Sequence, residues 1–224
     1  MFRKTCAGLL VLFFMATLSV TNAAEQTKQD ELVHSSMQTL KNFLADPDMG
    51  WVRKHLREAR AVLIIPRKLS GAFIFGADGG SGVMLARDSR LGWSYPAFYT
   101  MGSFSFGLQA GGKTSEVILL VMTDKGVDSL LSTDVKLGAD LSVAAGPVGA
   151  GAEAKTADVL AFARSKGAYG GISVSGAVIK PRPDWNRIYY GKPVRSIDIL
   201  VKRSVSKASA DALVHSLDTV SGHK

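Results

Sequence analysis

One cysteine, Cys6, serves the whole chain of 224 residues. It lies in the amino-terminal stretch, so loss of that stretch leaves no thiol nucleophile, no disulfide and no cysteine-based metal site. Histidine is nearly as scarce, with only His34, His55, His215 and His223. No two stand four residues apart, which excludes a His-Glu-x-x-His zinc motif. A Gly-x-Ser-x-Gly nucleophile turn is absent as well. Gly111-Gly112-Lys113-Thr114 ends like a phosphate loop. With Gly107 it meets that loop's Gly-x-x-x-x-Gly-Lys-Thr spacing, but a strand pattern follows where the loop needs a helix. Gly76–Gly82 fails the dinucleotide spacing. Asp124, Asp128, Asp134 and Asp140 are dispersed and read as caps and turn residues. These absences point away from an enzyme and call for no cofactor and no metal.

Long hydrophobic runs are also few. Leu9–Val20 is apolar over about 12–14 residues, short of the roughly 20 that cross a bilayer. Arg3 and Lys4 precede it, and the small residues Ala23 and Ala24 follow. That layout predicts a secretory signal peptide over residues 1–23, the alternative being a retained membrane anchor. Cys6 precedes the apolar run, so it is not a lipobox cysteine. Residues 24–224 then form a single domain, exported across the inner membrane to the periplasm or envelope.

Acidic residues are outnumbered, 19 Asp and Glu against 27 Lys and Arg, for a formal charge of +8. Removal of Arg3 and Lys4 lowers it to +6. Such a charge suits an anionic membrane surface or nucleic acid, and equally plain solubility. Trp185, Arg187, Tyr189 and Tyr190 place aromatics beside basic residues, but core anchoring accounts for them, and an exported protein is not expected to meet nucleic acid.

Glycine is what the chain has in quantity. Gly71–Gly112 holds ten and Gly138–Gly176 holds eight, together 18 of the 23 glycines. Flexible linkers are poor in large apolar residues, whereas here Phe, Ile, Leu, Val and Tyr separate the glycines. Gly79, Gly80, Gly107, Gly111, Gly170 and Gly171 are therefore expected at turns, bulges or close backbone approaches. Helices flank these blocks. Glu31–Leu44 carries an apolar stripe of Leu32, Val33, Met37, Leu40, Phe43 and Leu44. A second helix, with Asp48 as its expected cap, runs to about Arg60, with Arg53, Lys54, Arg57 and Arg60 along it and Arg67 and Lys68 soon after. Lys125–Leu131, Asp184–Tyr190 and Lys207–Val220 read as further helices, capped in two cases by Asp124 and Ser206. Strands are expected around Val62–Ile65, Val83–Ala86, Val117–Met122, Val135–Val143, Val159–Ala163 and Ile172–Ile179. Val62, Ile64, Phe73, Phe75, Val117, Leu119, Val121, Leu141, Val143 and Ile172 are the expected core. Short strands without long crossovers predict an α+β fold, a mainly antiparallel β sandwich or partly closed barrel with N-terminal and C-terminal helices.

Six segments in order carry a family resemblance. They are Ala59–Pro66 (ARAVLIIP), Gly71–Gly82 (GAFIFGADGGSG), Gly107–Gly111 (GLQAG), Val117–Thr123 (VILLVMT), Gly138–Gly151 (GADLSVAAGPVGAG) and Ser165–Gly176 (SKGAYGGISVSG). Over residues 45–192 the chain resembles the SYLF family of lipid-binding proteins, some of which bind phosphoinositides or actin filaments. Where that family often has Phe-Gly-Gly, this chain has Phe75-Gly76-Ala77. The resemblance implies a lipid ligand. The basic residues supply a physical route to an anionic phospholipid surface, through Arg53, Lys54, Arg57, Arg60, Arg67 and Lys68, with Trp51 inserting at the interface. Phosphatidylglycerol or cardiolipin suits an exported protein better than a phosphoinositide, and actin is an unlikely partner for one. The alternative is a structural or protein-interaction module of the envelope whose basic face only solubilises it.

Overall fold

The computed structural model describes residues 27–72, 75–106, 111–132, 134–145, 156–165, 168–169 and 174–222. The expected signal peptide and cleavage site lie outside them, as do Phe73, Ile172, Gly107, Gly170 and Gly171.

Helix α1 spans residues 27–45 and buries Val33, Leu40 and Phe43. Asp46 and Pro47 end it. The Asp46 side chain accepts from the Asp48 N–H at 3.1 Å, capping a 3-10 turn, Pro47–Met49, that leads into α2, Gly50–Leu56. The cap is thus Asp46 and not Asp48, and α2 stops four residues short of Arg60.

Among the described residues ten strands build one sheet. They are β1 (Ala61–Ala72), β2 (Phe75–Asp88), β3 (Gly92–Trp93), β4 (Ala97–Phe106), β5 (Gly111–Val121), β6 (Val135–Lys136), β7 (Val143–Ala145), β8 (Val159–Ser165), β9 (Ala168–Tyr169) and β10 (Val178–Pro181). The order is β6-β10-β4-β2-β1-β5-β8-β7, with β3 on β2 and β9 on β8. Every pairing is antiparallel except β7 with β8. Helix α3 (Asp124–Ser132) follows β5, while α4 (Pro183–Tyr190), α5 (Ser196–Leu200) and α6 (Asp211–Ser221) follow β10.

The path of eight strands has to curl. Laid flat, its outer strands would stand roughly 34 Å apart at a spacing of about 4.8 Å. Yet β6 and β7, the two edges, are joined by residues 137–142 alone, which reach at most about 25 Å when extended. They are not extended: Asp140 N–H donates to Lys136 O at 2.9 Å, and Gly138 N–H to Leu141 O at 2.8 Å. Gly138 takes φ +83 in this turn. The expected single strand Val135–Val143 is therefore two strands on opposite edges, and the sheet is a half-open barrel. The expected strand at Ile172–Ile179 is likewise displaced, starting only at Val178 after a turn through Gly176.

Both faces of the sheet are buried, so its central strands read as continuous apolar runs rather than alternating ones. Ala61, Leu63, Ile65, Tyr99, Val117, Leu119 and Val121 point inside the curl, meet Val135, Leu137, Leu141 and Ile179 from its edges, and are closed by α3 and α5. Val62, Ile64, Val83, Leu85, Phe98, Ile118, Leu120 and Phe162 point outward under α1, α2 and α6. The expected core residues with described side chains are buried, apart from Val143, which is half-buried.

Pro66 has no N–H to give a central strand. The register of β1 slips around it against both neighbours, between Ile64 and Arg67 on β2 and between Ile65 and Lys68 on β5. This bulge pushes β1 backbone towards β2, where glycines make room. A Cβ at Gly80 would lie 2.7 Å from Arg67 O, and one at Gly82 would run into Ile64 O. Gly80 thus marks a bulge, as expected. Gly79 is ordinary strand, and Gly111 opens β5 opposite Ala72. The described glycines with positive φ are others: Gly92, Gly138, Gly176, Gly191 and Gly222.

Candidate functional site

The seven residues singled out by the sequence, six basic and Trp51, do not form one face. Four of them gather on α2 and its end. Trp51 is half-buried and stacks on His55 with ring centroids 4.8 Å apart, and Lys54 Nζ lies 5.8 Å from the Trp51 ring centroid. His55 Nδ1 lies 2.9 Å from Trp51 O, a bond in which the ring N–H must donate. Arg53 turns back towards α1 and donates to Leu44 O at 2.9 Å and Asp46 O at 2.8 Å. Arg57 caps α2, and its Nε donates to Val220 O of α6 at 3.2 Å. Arg53 and Arg57 thus donate to neutral carbonyls, and Lys54 meets a ring face. No described carboxylate lies within ion-pair distance of any of the three.

The other three stand apart. Arg60 precedes β1 and pairs with Asp124 at 3.4 Å. Seven residues further along β1, roughly 20 Å away, Arg67 is exposed at a cleft of about 470 Å³ between α1 and the sheet, near Lys28, His34, Glu116 and Trp185. Lys68 is only 3% exposed, in register with the equally buried Ser115. It cannot meet a membrane from there. The sequence shows the charges of these residues but not the bulge around Pro66 that sets which side of the sheet each one takes.

A carboxylate hub escaped the sequence reading. Asp158, 8% exposed before β8, accepts from Thr123 Oγ1 at 2.8 Å, Ser142 N at 3.0 Å and Ser142 Oγ at 2.9 Å, with Lys125 Nζ at 3.4 Å. Burial pushes its carboxyl up, but the Thr123 and Ser142 bonds and the Lys125 charge more than offset this and hold it below the usual range. Thr123 Oγ1 also accepts from Gly126 N–H at 3.1 Å and so caps α3, the role expected of Asp124. Asp158 thereby ties three segments together. A second polar clasp docks α1: Thr39 Oγ1 and Asn42 Nδ2 donate to Glu116 Oε1 at 2.9 and 3.1 Å, and Arg164 bridges Glu116 and Asp46. Among the described residues no group of three His, Cys, Asp or Glu side chains is placed to hold a metal, and no helix is long and apolar enough to cross a membrane.

A half-barrel with α1 and α2 on its outer face defines the class, a mixed α and β domain whose outstanding surface chemistry is cationic. Residues 102–220 match the sequence model of the Ysc84 family, described as "Las17-binding protein actin regulator". The chain belongs to this family, the SYLF family that the glycine-rich segments resemble. It is 30% identical over 163 residues to the SH3 domain-containing YSC84-like protein 1 of Bos taurus, covering 70% of this chain and 48% of that protein. It is 32% identical over 172 residues to Protein YSC84 of Saccharomyces cerevisiae, covering 73% and 36% respectively. LAS seventeen-binding protein 3 of the same yeast is also 32% identical over 172 residues, with 73% and 37% covered. The chain thus spans half or less of the length of these relatives.

Proposed function

We propose that this chain is a non-enzymatic binding domain of the cell envelope that docks on anionic phospholipid through α2. The observation that carries this reading is the run Arg53, Lys54 and Arg57 beside a half-exposed Trp51, with no described carboxylate to neutralise it. Each such cation near an anionic surface contributes on the order of 1 kcal/mol, and an indole suits the headgroup level. The signal-peptide pattern of residues 1–23 supports placement in the periplasm or envelope, where phosphatidylglycerol and cardiolipin are the accessible anions. Arg67 and Lys68 belong to other surroundings and are left out of the docking face.

Flotation with neutral and anionic vesicles tests the reading. Lys54→Glu/Arg57→Glu is the variant of choice, because Arg53 also holds the end of α1. Wild type should float with anionic vesicles only, less so as salt rises, and the double variant should not float. A folded double variant that floats like wild type overturns the proposal. The family description favours a second reading, a protein-interaction module. Vesicle-independent binding to an envelope protein, unchanged in the double variant, would support that instead.

A further inference from the structure

Among the described residues two large apolar side chains stand mostly in solvent, Leu91 at 67% and Val201 at 53%. Both adjoin Arg203. Its guanidinium donates to Gly92 O at 2.8 Å, Ala86 O at 3.4 Å and Leu91 O at 3.5 Å, and Val201 precedes it by two residues at the end of α5. Arg203 is also the one described non-glycine residue with a left-handed backbone, φ 52, a conformation that persists only where surroundings enforce it.

Leu91 does not protrude from a slack loop. Asp88 Oδ1 accepts from the N–H groups of Arg90 at 2.8 Å and Leu91 at 3.0 Å, and Gly92 takes φ 71. Trp93 N–H donates to Asp218 Oδ1 at 3.0 Å and Trp93 Nε1 to Ser221 Oγ at 2.9 Å. The leucine is thus fixed in water, and an apolar group held in position loses little entropy on contact.

Beside it opens a cleft of about 790 Å³, lined by Leu91, Tyr95, Tyr190, Lys192 and Arg203 among others, and by no carboxylate. The phenols of Tyr95 and Tyr190 are already bonded, to Asp211 at 2.7 Å and Pro96 O at 2.7 Å, so they offer ring surface. Lys192 Nζ donates to Ser204 O at 3.3 Å, which sets it close to Arg203. An arginine beside tyrosine rings is the composition of an interface hot spot.

We propose that the cleft between Leu91 and Arg203 docks an acidic peptide segment with an apolar anchor. The anchor packs on Leu91 and the tyrosine rings, and its carboxylates pair with Arg203 and Lys192. Val201 lies outside it, on a separate cleft with Asp88, Asp124 and Asp128. The docking cleft is distinct from α2.

Fluorescence anisotropy with a short fluorescein-labelled peptide alternating Glu and Leu tests this, beside Lys–Leu and Glu–Ser peptides. The Glu–Leu peptide should bind in a salt-sensitive manner and the other two should not. Leu91→Ser should weaken binding by about tenfold and Lys192→Gln by several-fold, whereas Val201→Ser should leave it unchanged. All three side chains are exposed, so circular dichroism should show an unchanged fold. Lys54→Glu/Arg57→Glu should leave peptide binding intact, which separates this proposal from lipid docking. Equal affinity of wild type and Leu91→Ser, equal binding of the Lys–Leu peptide, or no binding of the Glu–Leu peptide overturns it. So does a Leu91→Ser protein that loses flotation with anionic vesicles while peptide binding is unchanged, which would make this a membrane-facing surface.

Discussion

Arg53 on α2 reaches back to the end of α1 and donates to Leu44 O at 2.9 Å. The last carbonyls of a helix have no partner within it, and here a charged side chain from the next helix supplies one. Arg53→Ala should therefore cost about 1–3 kcal/mol in urea unfolding. The neighbouring Lys54→Ala, whose amine meets only a ring face and water, should stay within about 0.5 kcal/mol. Equal effects at the two positions would show that the clamp does not stabilise α1.

The bulge at Pro66 sets a second expectation. A Cβ at Gly82 would run into Ile64 O and lie 2.8 Å from Ile65 Cγ1, with a buried strand on either side. Gly82→Ala should cost about 1–3 kcal/mol through overpacking. Gly50 is the contrast. It has right-handed helical geometry, φ −52, and its nearest neighbour would be the Arg53 guanidinium at 3.6 Å. Gly50→Ala should be neutral or stabilise by about 0.4–1 kcal/mol, by restricting the unfolded chain. Thermal unfolding of the two variants decides it, and a Gly82→Ala protein as stable as wild type would deny the close approach.

How far the sequence was legible follows from what each signal depends on. Runs such as Val62–Ile65 and Val117–Val121 announce strands buried on both faces, because burial demands apolar residues wherever they point. The stripe of α1 is legible for the same reason. Val135–Val143 misled, because alternation continues through Gly138 although the chain turns there and changes sheet edge. Alternation reports which side is buried, not which neighbour pairs. The caps moved by a residue or two, Asp48 to Asp46 and Asp124 to Thr123, since several candidates crowd each helix start. The basic residues were legible as charges only. That Arg53 turns to carbonyls, Arg60 to Asp124 and Lys68 into the interior depends on where α2 ends and on the bulge, and neither is written locally. Leu91 and Arg203 gave no signal, for an exposed leucine in a turn is unremarkable until the turn is seen to be fixed.

Tyr99 gives an alkaline expectation. Burial raises its phenol to about 12, and its hydroxyl donates to Leu130 O at 2.9 Å. In the unfolded chain the phenol ionises near pH 10. The folded state thus holds the proton more tightly, so its contribution is complete below about pH 10 and is lost as pH rises towards 12. Stability measured by denaturant should fall across that interval. Tyr99→Phe should be weaker at neutral pH but flatter between pH 10 and 12. A wild-type curve as flat as that of Tyr99→Phe would show that the phenol is not the titrating group.

Asp158 works in the opposite direction. Its carboxylate is held below the ordinary range by the Thr123 and Ser142 bonds and by Lys125, against the upward push of burial. The folded state therefore binds this proton less readily than the unfolded chain, whose aspartates titrate near pH 4. The stabilisation is present above about pH 4 and disappears as pH falls through the depressed folded value. Asp158→Asn keeps the size but sets an amide among donors, since Ser142 N–H and Thr123 Oγ1 both point at the carboxylate. At pH 7 it should cost about 1–3 kcal/mol, the scale of a broken buried hydrogen-bond set. The gap from wild type should narrow towards pH 3, as wild type itself takes up the proton. Urea titrations of both proteins at pH 7 and pH 3 measure it. A loss at pH 7 without narrowing would place the acid sensitivity elsewhere, with the Glu116–Arg164–Asp46 clasp as the next carboxylates to test.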